Sequence, residues 1–310
     1  MTMVLPDGSV LTITDAEPEL MRAARCSHGL FGVVCAVRFR VRPIQPIAIK
    51  HRDITLEQFL LELPTLMAGD HSLEYHLYPF IDRVTLQIRS KTQAAGRVNH
   101  WVWPLRNFSV SIAVPAVARW LASIRWPWLS QVLSGAFYWT SGHALQWFCS
   151  AAKTHASAQT TDYLEPPGRY GFTFGLWSFP VDQFAQTLRD YVALLKEHYA
   201  QTGWRSHMPT VGYFVSQDAN ALLSYSLAGP VLTIDPTGFG GADWDLFLER
   251  YNAFCCARGG IPLLNLTPGL SADQARRSFG ERLQSFEAMR RSMDPGNRLL
   301  NPYFALLLQG

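Results

Sequence analysis

Apolar and polar positions along the chain repeat with either a strand-like or a helix-like period, and each run predicts an element. Asp7-Gly8 is a turn signal between two strand-like runs, Met3–Leu5 and Val10–Ile13. Glu17–Cys26 reads as a brief helix. Gly29 and Gly32 mark a close backbone approach before an alternating strand over 33–42. Pro43 and Pro46 punctuate its exit and predict a domain boundary. Thr55-x-x-Gln58 is a capping box whose helix carries Phe59 to Leu63 as its apolar face until Pro64 ends it. Strands are predicted over Leu73–Pro79 and over Arg83–Arg89, where Val84, Leu86 and Ile88 alternate with polar residues. Further strands are predicted at Phe172–Phe179 and Gly212–Val215, and at Leu222–Ser226 and Val231–Ile234, the last two joined through Gly229-Pro230.

Helical spacing is clearest toward the C-terminus. One helix starts at Asp182 with Phe184, Leu188, Tyr191, Val192 and Leu195 on one face. Another starts at Asp243 with Trp244, Phe247, Leu248, Tyr251 and Phe254 inward, and ends at Gly259-Gly260. A third opens with the capping box Ser271-x-x-Gln274, carries Phe279, Leu283, Phe286 and Met289, and stops at Pro295. Strands mixed with helices in this order predict an α+β fold, an antiparallel sheet flanked by helices.

Residues 108–152 break the pattern. From Trp126 to Ala152 there is no Asp, Glu, Lys or Arg over 27 residues. That length matches a bilayer, but Pro127, Ser130, Gln131, Ser134, Gly142, His143 and Gln146 interrupt the apolar character. Three readings stay open: a buried helical hairpin, a true span, and helices lying at a membrane surface with Trp120, Trp126, Trp128, Arg119 and Arg125 at the interface.

Composition narrows the classes. At 310 residues, 48% hydrophobic and 16% charged, the chain folds around a large core, and length alone predicts about two domains. A net charge of +3, with 23 Arg and 4 Lys spread along the chain, gives no nucleic-acid footprint. Ten Trp suit an apolar or flat ligand. The five cysteines (26, 35, 149, 255, 256) include no C-x-x-C pair, which predicts reduced thiols in a cytoplasmic protein. Met1–Gly8 has neither a basic nor an apolar leader region. Without such a leader, the sequons at Asn107 and Asn265 are expected to be chance matches.

Candidate chemistry is sparse. Gly238-Phe-Gly-Gly-Ala-Asp243 follows a strand and precedes a helix, but Asp243 stands where a dinucleotide fingerprint has its third glycine, so it reads as a turn with an N-cap. Nine scattered His show no ligand spacing, and no metal is expected. Gly29-Leu30-Phe31-Gly32-Val33-Val34 reads either as a tight corner or as a backbone that approaches a large planar or phosphorylated ligand.

Two end segments carry a resemblance: Ser27-His28-Gly29-Leu30-Phe31-Gly32-Val33-Val34 running into Val37–Arg42, and Met293-Asp294-Pro295-Gly296-Asn297-Arg298-Leu299-Leu300-Asn301-Pro302-Tyr303-Phe304. They resemble the close of the flavin-binding domain and the C-terminal tail of FAD-linked oxidases of the vanillyl-alcohol oxidase and p-cresol methylhydroxylase superfamily, in its sugar-lactone-oxidase branch. His76-Leu77-Tyr78-Pro79-Phe80 and Pro209–Phe214 resemble that family's substrate, or cap, domain. The resemblance implies FAD as cofactor, with Gly29, Gly32, Val33, Val34 and Asn301 beside it. It implies that residues 1–46 close the FAD-binding domain, 47–278 form the cap with an insert at 108–152, and 279–310 return to the FAD domain. In the family the first motif comes midway along the chain, so most of the FAD-gripping lobe is expected either from a separate subunit or to be lost by truncation.

The departures shape the expected chemistry. The family's Glu-x-Arg pair on a cap strand falls on Val211 and Tyr213, and its His-x-x-Lys-like segment falls on Leu263–Leu266. Tyr213 and Asn265 are left as the polar candidates to face the flavin, with His76 and Tyr78 as further ones. The missing charge argues against a hydrophilic sugar, and the many aromatics suit a small-molecule substrate that is apolar or lipid-linked. Two functions follow: an FAD-dependent oxidoreductase moving a hydride from a substrate C–H or CH–OH to flavin, or a non-catalytic, oxidase-derived binding protein. A cytoplasmic location, with contact at the inner membrane face, fits both.

Overall fold

The computed structural model describes residues 1–41, 43, 45–92, 102–124, 126–151, 155–156 and 171–308. Strands β1 (Thr2–Val4), β2 (Val10–Thr12) and β3 (Val33–Ala36) pair antiparallel in the order β2-β1-β3, around helix α1 (Pro18–Arg25). The Asp7-Gly8 turn forms as expected, with the Asp7 carboxylate accepting from the Ser9 N–H at 2.9 Å and the Ser9 hydroxyl at 2.6 Å. The alternating run after β3 is not a strand: pairing stops at Ala36, and Val37, Phe39 and Val41 are exposed. Alternation makes a strand only where a neighbour completes its ladder. On that flank of β3 no described strand does so, and Arg42 lies outside the described residues.

Strand β4 (Pro46–Ile54) is the largest element missing from the sequence reading, which took Pro46 as a boundary. Proline is tolerated there because it is the first strand residue. Helix α2 (Leu56–Met67) starts at the Thr55/Gln58 capping box and runs through Pro64 rather than ending at it. Burial of Leu60, Leu63 and Leu66, about 1.5–3 kcal/mol each, outweighs the hydrogen bond that the proline forfeits. Strands β5 (His71–Tyr78) and β6 (Arg83–Lys91) follow, paired in register along their length.

Helix α3 (Val102–Phe108) passes through a π turn at Ser109–Ala113 into α4 (Val114–Ala122), and α5 (Pro127–Ala151) comes next. Among the described residues no helix is long and apolar enough to cross a membrane. Nor are these helices a buried hairpin throughout, since Trp120, Trp126, Trp128 and Trp139 are exposed. Arg125 and Ala152 lie outside the described residues.

Strand β7 (His155–Ala156) pairs with β4. The single strand expected over Phe172–Phe179 is two, β8 (Thr173–Phe174) and β9 (Trp177–Pro180), parted at Gly175 where Leu248 and Tyr251 pack against the backbone. Helix α6 (Val181–Thr202) ends at Gly203, whose φ of 72° suits glycine. Strands β10 (Thr210–Val215) and β11 (Val231–Ile234) follow. The expected strand at Leu222–Ser226 is a series of turns instead. Its leucines are buried by ties to other elements: the Arg282 guanidinium donates to the carbonyls of Leu222 (3.2 Å) and Ser224 (2.9 Å), and the Leu222 N–H donates to the Arg22 carbonyl.

Strand β12 (Thr237–Gly238), helix α7 (Ala242–Ala257) and β13 (Ile261–Pro262) complete the middle. The expected third helix is two, α8 (Ala272–Phe279) and α9 (Glu281–Met293), broken at Gly280 with φ of 55°, and α10 (Pro302–Leu307) closes the chain. The large sheet has eight strands in the order β13-β9-β11-β10-β5-β6-β4-β7, every pair antiparallel.

The two chain ends meet. Phe31 stacks on Phe286 with centroids 5.1 Å apart, His28 lies 5.0 Å from Phe304, and the Arg298 guanidinium donates to the Pro6 carbonyl. Buried Asp294 explains the Asp-Pro turn, since its carboxylate accepts from the N–H groups of Arg298 (2.9 Å) and Leu299 (2.8 Å). One continuous core runs from Met3 and Phe31 through Tyr75 and Phe247 to Phe304.

Candidate active site

Strand alternation gives the large sheet two unlike faces. Leu73, Tyr75 and Leu77 of β5 and Val84 and Leu86 of β6 point into the core. The intervening residues make a polar face. Its registers set Glu74 opposite Gln87 and Tyr213, and His76 opposite Thr85 and Val211, while His51 and Asp53 of β4 stand opposite Gln87 and Thr85.

Glu74 is the hub of that face. Its Oε2 accepts from Arg89 Nη2 at 2.9 Å and from Gln87 Nε2 at 3.0 Å, and its Oε1 meets His76 Nε2 at 3.0 Å. Gln87 Oε1 in turn meets Nε2 of buried His51 at 3.2 Å. A carboxylate held by a guanidinium, an amide and an imidazole is fixed in place and aimed, the arrangement a reacting hydroxyl needs.

Asp235, just after β11, bridges to Val211 and so joins the same face from behind. It is buried, and Oδ1 has no hydrogen-bond partner. Burial above all holds its carboxyl well above the usual range, against the pull of a Thr233 hydrogen bond, and the charge of Glu74 adds to the rise. Burial thus disfavours the charged form of Asp235 beside Glu74.

Helix α5 covers the far end of the face. Asp53 accepts from Arg83 Nη2 and from Thr85 Oγ1, both at 2.6 Å, and Arg83 reaches His143 Nδ1 at 3.0 Å. Tyr78 packs on Tyr138 with centroids 4.5 Å apart. Beside them a cavity of about 30 Å³, lined by Tyr78, Tyr138, Arg205 and His207, has room for one water but not for a substrate.

His207 is shut in there, its Nδ1 3.2 Å from Ser134 Oγ. Burial, and then the Arg205 charge, push its pKa down from 6.5 to about 4. The fold thus favours neutral His207, so this stabilisation is complete above pH 6.5 and is lost as pH falls toward 4. The loss expected across that window is at most about 3 kcal/mol. Urea titrations should show it in the wild type and a flatter profile in His207→Gln.

The structure gathers Tyr213, His76 and Tyr78 on one face. Tyr213 is 38% exposed beside Glu74, and Tyr78 is half-buried under α5. Asn265 stands apart. It is exposed in a short 3-10 turn after β13, three strand positions from β10 in the sheet order. The Tyr303 hydroxyl ties that turn down by donating to the Leu264 carbonyl at 2.6 Å.

Among the residues expected beside a flavin, Gly29 has φ of 78° with open space on its Cβ side, and Val33 and Val34 are exposed. At Gly32 a Cβ would press on the Val4 carbonyl at 2.7 Å, which accounts for the glycine structurally. Asn301 caps α10, its side chain accepting from the Phe304 N–H at 3.0 Å. An open glycine and an apolar strand edge suit one flank of a flavin site. Among the described residues, no group of His, Cys, Asp or Glu is placed to hold a metal.

A sequence profile of the D-arabinono-1,4-lactone oxidase family matches residues 37–307. The chain belongs to that family. No curated protein matches it closely enough to be counted a relative. Among solved structures, a cholesterol oxidase from Brevibacterium sterolicum matches with a TM-score of 0.66 at 11% identity, over 99% of this chain and 68% of its own. A BBE-like protein from Physcomitrella patens matches with a TM-score of 0.56 at 14% identity, over 100% of this chain and 65% of its own. The 6-hydroxy-D-nicotine oxidase from Arthrobacter nicotinovorans matches with a TM-score of 0.52 at 13% identity, over 96% and 63%. The fold is thus that of the vanillyl-alcohol oxidase and p-cresol methylhydroxylase flavoenzymes, whose cofactor is FAD, and the chain spans about two thirds of these neighbours.

β10 carries no charge at Val211 and Tyr213, whereas Glu74, opposite Tyr213 on β5, and Arg89 of β6 are charged residues of the same face. Sequence reading missed both, along with Gln87, His51 and Asp235. The signal was present in part, because Glu74-x-His76-x-Tyr78 and Thr85-x-Gln87-x-Arg89 are polar at every second position between buried residues.

Proposed function

We propose that this chain forms the substrate half of an FAD-dependent oxidoreductase that oxidises a CH–OH group of a small molecule. The observation that carries the reading is the Glu74–His76–Gln87–Arg89 cluster on the polar, half-buried face of the large sheet. In such a reaction the carbon gives up a hydride, the hydroxyl gives up a proton, and a C=O forms. FAD, when bound, supplies the hydride acceptor. His76 takes the hydroxyl proton at Nδ1, since Nε2 is engaged by Glu74. Arg89 and Gln87 keep the Glu74 carboxylate fixed. Tyr213 orients the substrate, Tyr78 backs it, and Asn265 on its tethered turn is offered toward the flavin ring.

The lobe that grips the flavin dinucleotide is supplied by sequence outside these 310 residues, in this polypeptide or another. Support comes from the edge of β3, unpaired among the described residues, where Val33 and Val34 lie exposed, from exposed Val37, Phe39 and Val41 after it, and from the third of the neighbours' length that this chain does not span. The division into FAD-domain segments (1–46 and 279–310) and a cap (47–278) belongs to the same reading. The free thiols Cys26, Cys35, Cys255 and Cys256 suit a reducing, cytoplasmic setting.

The cluster favours a polar reacting end, and both a D-arabinono-1,4-lactone type of substrate and a sterol carry the CH–OH group that the reading requires. The test is anaerobic mixing of the flavin-loaded holoprotein with each. Bleaching of the visible flavin band by either supports the oxidase. A loaded protein that no CH–OH compound bleaches favours the non-catalytic, ligand-binding alternative.

A further inference from the structure

We infer that the outer face of α3–α5 is a docking surface for an anionic phospholipid bilayer, on which the protein lies without crossing. Residues 130, 134 and 138 of α5 are buried against the sheet side, while Trp128, Val132, Ala136 and Trp139 form the opposite, exposed stripe. Trp126 in the preceding loop and Trp120 on α4 extend the patch, and Leu105 and Phe108 of α3 are exposed as well. These four tryptophans are 55–68% exposed, whereas Trp177 and Trp244 elsewhere are buried. Contiguous exposed aromatics at such density mark a contact surface rather than ordinary scatter.

Charge identifies the occupant. From Val102 to Ala151, the span of these helices, the sequence has three basic residues (Arg106, Arg119 and Arg125) and no acidic one. Exposed Arg119, beside Trp120, stacks over Phe239 at 4.8 Å. Tryptophan suits the boundary between headgroups and acyl chains, because its ring is apolar and its indole N–H is polar. Cations beside it meet lipid phosphates. A second copy of the chain fits poorly, since its own cationic segment would face this one. This inference does not depend on the oxidase reading.

The test is sedimentation of the chain with vesicles of phosphatidylcholine alone and of phosphatidylcholine mixed with phosphatidylglycerol. Binding is expected only to the anionic vesicles, and it should weaken as salt shortens the screening length. Trp128→Ser/Trp139→Ser should cut the bound fraction about tenfold with an unchanged circular dichroism spectrum. Lipids brominated near the headgroup should quench the tryptophans of the wild-type protein, a readout that needs no variant to fold. The proposal is overturned if the wild type ignores anionic vesicles, if the double variant binds as well as wild type, or if the stripe proves to hold two copies together in light scattering.

Discussion

Glu74→Ala is expected to reduce flavin reduction by substrate about 10²–10³-fold, while the protein keeps its fold. The carboxylate accepts from Arg89 and Gln87 and engages His76, so its loss removes one partner from each of three side chains together. Arg89 then stands without its carboxylate on a half-buried face, and His76 loses the partner that sets its tautomer. The effect should fall mainly on kcat, because the groups displaced act on the reacting hydroxyl rather than on the rest of the substrate. Stopped-flow reduction of the loaded protein measures it. Loss confined to KM would instead place Glu74 in ground-state binding.

Gly212→Ala should destabilise the fold by about 3–5 kcal/mol, the largest stability effect expected of a single methyl group here. Tyr75 of β5 passes its ring beneath β10 at Gly212 so that its hydroxyl donates to the Thr233 carbonyl of β11 at 2.6 Å. A Cβ at 212 would collide with that ring and with the same carbonyl. Both obstacles are rigid, one a fully buried ring and the other backbone in the middle of the sheet. Tyr213 would move with the strand, so activity should fall along with stability. Chemical denaturation gives the first effect and flavin reduction the second.

Local signals in the sequence were read well where they are self-contained. Both capping boxes form with the hydrogen bonds that Thr55/Gln58 and Ser271/Gln274 predict. Strand β6 follows from alternation, β5, β10 and β11 from strand-like composition, and the faces of α6 and α7 from helical spacing. Failures came where a distant neighbour decides the outcome. Leu222–Ser226 has strand composition but spends its carbonyls on Arg282. The 37–41 run alternates but has no described partner strand. Pro46 looked like a boundary because nothing local shows that β6 and β7 complete β4 on either side.

The site divided in the same way. His76, Tyr78 and Tyr213 are candidates that recognisable strand motifs offer, and the register shows that they share one face. Glu74 and Arg89 lie on adjacent strands, and only the β5–β6 register shows that they share one hydrogen-bonded cluster. Asp235 is legible only in three dimensions, since its raised pKa comes from burial and, to a lesser degree, from a carboxylate some 160 residues away in sequence. Family resemblance pointed to the fold and to FAD, while the charged pair that the family carries on a cap strand has no counterpart at Val211 and Tyr213.

The central claim, that this chain works as one half of an FAD enzyme, is tested most directly by isolating it under native conditions from the cells that make it and recording the visible spectrum. The account predicts a yellow preparation with one flavin per chain, the gripping lobe either co-purifying or joined to it. A colourless preparation, with no flavin released on denaturation and none taken up when FAD is added, would contradict it.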